Sequence, residues 1–155
     1  MTVTLTQRPA HSYRGDAAVP DLPDRDPIAF MDGNCVLCTF GARLIARHDR
    51  SGRIRICPVQ SLTGQAVLYH YGLDPKDPDS WLFLIDGRAY TSFRAMIRAG
   101  AFIGGIGWLL QPLRLLPRPL SDWLYRRIAR NRYSMLGETD MCAVPDPALR
   151  ARMIE

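Results

Sequence analysis

The chain has 155 residues, 47% apolar and 23% charged, a balance that suits one globular domain with a core of its own and excludes a disordered chain. The longest near-apolar stretch, residues 99–110, is interrupted by four glycines and falls short of the roughly 20 residues that a membrane span needs. The net charge is +5, carried almost wholly by arginine, and between Arg88 and Arg132 nine arginines stand against a single acid, Asp122.

Residues 1–26 hold Pro9, Pro20 and Pro23 among scattered charges without apolar periodicity, which predicts a flexible leader. Met1 to Ala10 has no apolar stretch of the secretory kind, so a cytoplasmic setting is expected, where disulfides are more often transient than structural. Ile28 to Met31 is a short apolar run ending in Asp32-Gly33-Asn34, the pattern of a buried strand and a turn. A helix follows from about Cys35 to Asp49, with Leu37, Phe40, Leu44 and Ile45 at the spacing of a buried stripe. Arg53 to Cys57 alternates as a strand, and Pro58 stops it.

Ser61 is placed to cap a second helix that ends at Gly72. Asp74 to Ser80 reads as a loop, and Trp81 to Ile85 as the strongest strand in the chain. Asp86-Gly87 signals a tight hairpin to a strand over Arg88 to Thr91, after which Thr91 or Ser92 caps a helix carrying Phe93, Met96, Ile97 and Phe102. The order β-α-β-α-β-β-α, with a parallel first pair and a final hairpin, predicts a thioredoxin-like mixed sheet over residues 27–107. Residues 108–155 form a helical extension and tail expected to pack on that core. In it Pro112, Pro117 and Pro119 break the apolar pattern, and Ser121 is expected to cap a helix bearing Trp123, Leu124 and Ile128. Trp108 and Trp123 read as core residues, and a last helical turn is expected near Ala148 to Met153.

The chemistry concentrates in Cys35-Val36-Leu37-Cys38, a Cys-x-x-Cys at the strand-to-helix turn. Cysteines three apart on the first helical turn share a face, and a helix N-terminus favours the thiolate, the species that attacks disulfides. The same pair also suits a metal. A closed zinc site needs four ligands, and the candidates to join Cys35 and Cys38 are Cys57, Cys142, His48 and His70, with Cys57 and Cys142 the sharpest choice, although no second Cys-x-x-Cys or His-x-x-x-His accompanies them.

The set Asp32-Gly33-x-Cys35-x-Leu37-Cys38, with Pro58-Val59-Gln60-Ser61, Ser92, Leu116-Pro117-Arg118-Pro119, Tyr125, Arg130-Asn131-Arg132-Tyr133 and Cys142 before Pro145, resembles the DCC family of thiol-disulfide oxidoreductases. The resemblance runs from about Ile28 to Pro145 and implies a thioredoxin-like fold with dithiol–disulfide exchange at Asp32, Cys35 and Cys38. Cys57 departs from the small apolar residue expected there. Many thioredoxin-like chains also set a cis-proline just before the third strand, and here the nearest proline is Pro78.

On this reading Cys35 is the nucleophile, Cys38, a turn deeper, resolves the mixed disulfide, and Asp32 is the candidate proton acceptor or a brace for the turn. Cys142 is either a packed residue or a third redox thiol. Arg130 to Tyr133 either anchor the tail over the site or bind an anion. No cofactor beyond the dithiol is expected, zinc being the alternative. The partners expected are a disulfide-bearing protein or a small thiol. The arginine-rich stretch reads first as a solvated face; no nucleic-acid partner is expected, while peripheral contact with a membrane surface stays open.

Overall fold

A computed structural model describes residues 7–76, 81–143 and 146–154, apart from the side chain of Cys142. Pro78 and Pro145 lie outside the described residues. Four strands form one mixed sheet: β1 (Ile28–Met31), β2 (Arg55–Pro58), β3 (Leu82–Ile85) and β4 (Arg88–Tyr90), in the order β2-β1-β3-β4. β1 pairs parallel with β2 and antiparallel with β3, and β3 pairs antiparallel with β4. The parallel pair requires a crossover, supplied by α1 (Val36–His48). Asp86 and Gly87 both take positive φ, 51° and 73°, as the expected tight hairpin demands.

Alternation along the strands divides the core between the two faces of the sheet. Ala29, Met31, Ile56 and Phe83 point to one face, where α1, α3 (Ser92–Ile103), α4 (Arg118–Leu136) and α5 (Pro147–Arg150) pack. Ile28, Phe30, Cys57, Leu82 and Leu84 point to the other, covered by α2 (Leu62–His70) through Val67 and Leu68. Burying a side chain such as Phe83 contributes roughly 1.5–3 kcal/mol. Ser61 caps α2 as expected, its hydroxyl oxygen accepting the Gly64 N–H at 3.0 Å. Among the described residues no helix is long and apolar enough to cross a membrane.

Several expectations change. From residue 7 onward the segment read as a flexible leader is packed: Tyr13 is buried against the α2 face, donates to Asp24 at 2.5 Å, and His70 reaches Asp16 at 2.8 Å. Of the stripe expected on α1 only Ile45 is buried: Phe40 and Leu44 are exposed and Leu37 is half-buried, while Thr39, Ala42 and Ala46 face inward with Ile45. The inner face thus carries Thr39 and two alanines beside a single large apolar residue, Ile45. β2 begins at Arg55 rather than Arg53 and includes Pro58, which faces Met31 at the strand end. α4 starts at Arg118, not at Ser121, since Pro119 falls in the first helical turn, where its missing N–H would have no helical partner.

A 3₁₀ segment, Gly105–Leu115, doubles back along α3. Two glycines allow the approach: a Cβ on Gly100 would sit 2.6 Å from the Gly107 carbonyl oxygen. Trp108 and Trp123, expected in the core, are instead 60% and 58% exposed.

Candidate redox site

The strand-to-helix turn is built by its own side chains. Asp32 accepts the Asn34 N–H at 2.9 Å, closing a local turn. Gln60, just beyond β2, bonds two residues of the turn: its Nε2 donates to Asp32 Oδ1 at 2.7 Å, and its Oε1 accepts the Gly33 N–H at 2.9 Å. A Cβ at Gly33 would lie 3.1 Å from that same Oε1, which leaves little room for any other residue. Sequence reasoning placed Gln60 in a resemblance motif and gave it no role; its position two residues beyond the parallel strand is the signal that could have found it.

Cys35 is the N-cap of α1, and its Sγ accepts the Cys38 N–H at 3.4 Å. A thiolate there meets the positive end of the helix and one of its unpaired N–H groups. Burial pushes the Cys38 thiol up to about 12, while the Arg132 guanidinium, with Nη1 at 3.6 Å from its Sγ, pulls the other way. The relative depth is the reverse of the expectation. Cys35 has no exposed surface, and Cys38 is only partly buried.

A backbone strap explains that reversal. After α4 the chain returns past the turn: Thr139 N–H donates to the Asn34 carbonyl at 2.9 Å, Met141 N–H donates to the Gly33 carbonyl at 2.7 Å, and Cys35 and Glu138 form an antiparallel bridge. Met141 is itself fully buried and anchors the strap in the core.

α4 delivers the remaining groups. Tyr125, Ala129 and Arg132 make its buried stripe, so Arg132 enters the protein while Arg126, Arg127 and Arg130 stay outside. Arg132 Nη2 donates to Asp32 Oδ2 at 2.6 Å with both side chains buried, and the Tyr133 hydroxyl donates to the same oxygen. Burial and the Asp32 carboxylate push the Tyr133 phenol up to about 12, so it stays a donor at neutral pH. Asp32 therefore accepts two bonds on each oxygen. Through these four bonds Asp32 holds Arg132 and the turn. Arg132 Nε has no hydrogen-bond partner among the described residues.

The other candidates lie elsewhere. Cys57 faces the opposite side of the sheet, where its thiol contacts Ser61 Oγ at 3.4 Å. Cys142 is in a short 3₁₀ turn beside the strap, Met141–Ala143, with its side chain outside the described residues. Among the described residues no group of three or more His, Cys, Asp or Glu side chains is placed to hold a metal ion.

Residues 29–138, which include the turn, both cysteines, the buried Arg132, and Tyr133, match the DCC1-like thiol-disulfide oxidoreductase family. The chain belongs to that family. It is 33% identical over 133 residues to the uncharacterized protein YuxK of Bacillus subtilis, covering 86% of this chain and 96% of that one. A chloroplastic DCC family protein of Arabidopsis thaliana is 33% identical over 120 residues, covering 77% of this chain and 70% of the relative. No solved structure matches. Membership in the DCC1-like family accords with the mixed sheet and with an oxidoreductase role for the chain.

Proposed function

We propose that this DCC1-like protein exchanges electrons with disulfides through Cys35 and Cys38. The observation that carries the reading is the Cys35 sulfur at the α1 N-cap accepting the Cys38 N–H, with the Arg132 guanidinium against Cys38. The Cys35 thiolate attacks a substrate disulfide, forming a mixed disulfide and releasing one substrate thiolate. Cys38, deprotonated, then attacks Cys35 Sγ and releases the second. The protein is left with a Cys35–Cys38 disulfide and the substrate has gained two electrons; the reverse sequence oxidises a dithiol.

Arg132 stabilises the Cys38 thiolate in the second step, and Asp32 positions Arg132. Because Cys35 is buried beside the strap, residues 138–141 leave the turn when a substrate enters. An extended peptide would find there the same carbonyls that Thr139 and Met141 occupy at rest, which suits a disulfide-bearing protein segment as partner.

The test is reduction of insulin and of a small aromatic disulfide by the reduced protein. Cys35→Ser is expected to bring the rate to background, and Cys38→Ser to accumulate a mixed disulfide visible by mass spectrometry. Undiminished rates in Cys35→Ser would sink the reading. With the Cys38 thiol at about 12, the resolving step is expected to quicken by about tenfold per pH unit through the neutral range, as its thiolate fraction rises.

A further inference from the structure

The face opposite the strap end of α4 carries features that dithiol exchange does not use. In a 3₁₀ helix side chains at i and i+3 eclipse, so Ile106, Leu109, Pro112 and Leu115 form one ridge along Gly105–Leu115, and all four are exposed. Leu115 is 86% exposed, Leu109 75%, and the first turns of α4 add Leu120 and Trp123. Unpartnered apolar surface of this extent, with two tryptophans at its edges, marks an interaction site.

Charge indicates what covers it. Between α3, the end of the 3₁₀ segment and the start of α4 lies a groove of about 500 Å³, lined by Arg94, Arg98, Arg114, Arg118, Ser121 and Asp122 among others. Among the described residues none of the four arginines has an ion-pair partner; Arg98 lies over the Tyr90 ring at 4.8 Å. Four guanidinium groups against one carboxylate make the groove a place for an anion, and guanidinium is the group that matches phosphate oxygens. Exposed Leu115, Leu120 and Trp123 are interleaved in sequence with Arg114, Arg118 and Ser121 of the groove. Apolar side chains beside unpaired arginines are the composition of a surface that lies on anionic lipid, with the aromatic rings at headgroup depth.

We propose that the 3₁₀ segment and the first turns of α4 dock the protein on an anionic phospholipid surface, with a headgroup phosphate in the arginine groove and Leu109, Leu115 and Trp123 in the interface. The proposal is independent of the redox reading. It does give the dithiol a place, since Trp123 and Arg132 lie on one helix, nine residues and so about 14 Å of rise apart.

The experiment is co-sedimentation of the full-length chain with vesicles of phosphatidylcholine alone and of phosphatidylcholine and phosphatidylglycerol in equal parts. Binding to the anionic vesicles is expected to exceed that to neutral ones by at least about tenfold and to blue-shift tryptophan fluorescence. The shift arises from Trp108 and Trp123, because Trp81 is already buried. The pairs Arg114→Glu with Arg118→Glu, and Leu115→Ser with Trp123→Ser, each change exposed side chains and are each expected to lower the bound fraction about tenfold, with circular dichroism unchanged. No anionic binding, equal binding to both vesicles, or binding unaltered in either pair would overturn the proposal. Stabilisation by inorganic phosphate without vesicle binding would overturn it too, assigning the groove to a free anion.

Discussion

Two buried aspartate–arginine pairs hold the second half of this chain to the first, and they are finished differently. At one end of α1, Arg152 Nη1 donates to Asp49 Oδ2 at 2.7 Å, and its guanidinium also reaches the carbonyls of Asp49, Ile54 and Ala46. Asp49 in turn accepts from Ser51 and from the Ile54 N–H. At the other end, Arg132 gives one nitrogen to Asp32, points another at the Cys38 sulfur, and leaves Nε without a partner among the described residues. The first guanidinium is spent on backbone oxygens and serves as a clamp. The second keeps donor capacity turned toward a group that changes charge, which is what a site requires and a clamp does not.

Substitutions separate the two. Arg152→Met strands the Asp49 carboxylate and is expected to cost about 4 kcal/mol in urea unfolding, while the folded fraction exchanges disulfides at the ordinary rate. Arg132→Met is expected to cost about 3 kcal/mol and, unlike its counterpart, to slow resolution of the mixed disulfide about tenfold in stopped-flow measurements. If both variants slowed resolution alike, the contrast would fail.

Asp49→Asn should cost about 2 kcal/mol at neutral pH and flatten the acid limb of stability. Burial works against the Asp49 carboxylate, but bonds from Ser51, Ile54 and Arg152 outweigh it and hold it below its ordinary value. Its contribution is therefore complete above the unfolded carboxylate value, about 4, and is lost as pH falls toward the lower folded value. Thermal melts from neutral to acid pH read this directly. The smallest effect is expected from Gln60→Ala, about 1 kcal/mol, together with a looser turn at Gly33 seen in amide exchange.

The strands, their connections and the dithiol turn were legible because each rests on local pattern: an unbroken apolar run in Trp81 to Ile85, a tight-turn dipeptide at Asp86-Gly87, and a capping serine at Ser61. Arg132 was half legible. Among the arginines of α4 it alone continues the stripe of Tyr125 and Ala129, yet its identity suggested a solvated face. The strap was not legible, because its bonds join backbone atoms about a hundred residues apart and need no particular side chain. Phe40, Leu44, Trp108 and Trp123 misled for a related reason. Apolar character says that a residue prefers cover, whereas the inward face of α1 is the one that carries Ala42, Ile45 and Ala46, and the two tryptophans lie on an outer surface.

The seclusion of Cys35 has a chemical corollary. A thiolate at a helix N-terminus is the form that peroxide converts to sulfenic acid, and further attack makes sulfinic acid, which ordinary thiols do not reverse. With no exposed surface, the Cys35 sulfur meets an oxidant only while the chain around it is open. Its lifetime under oxidative stress is then set by the frequency of that opening, and Cys38 stands within reach to convert a first oxidation into a recoverable disulfide.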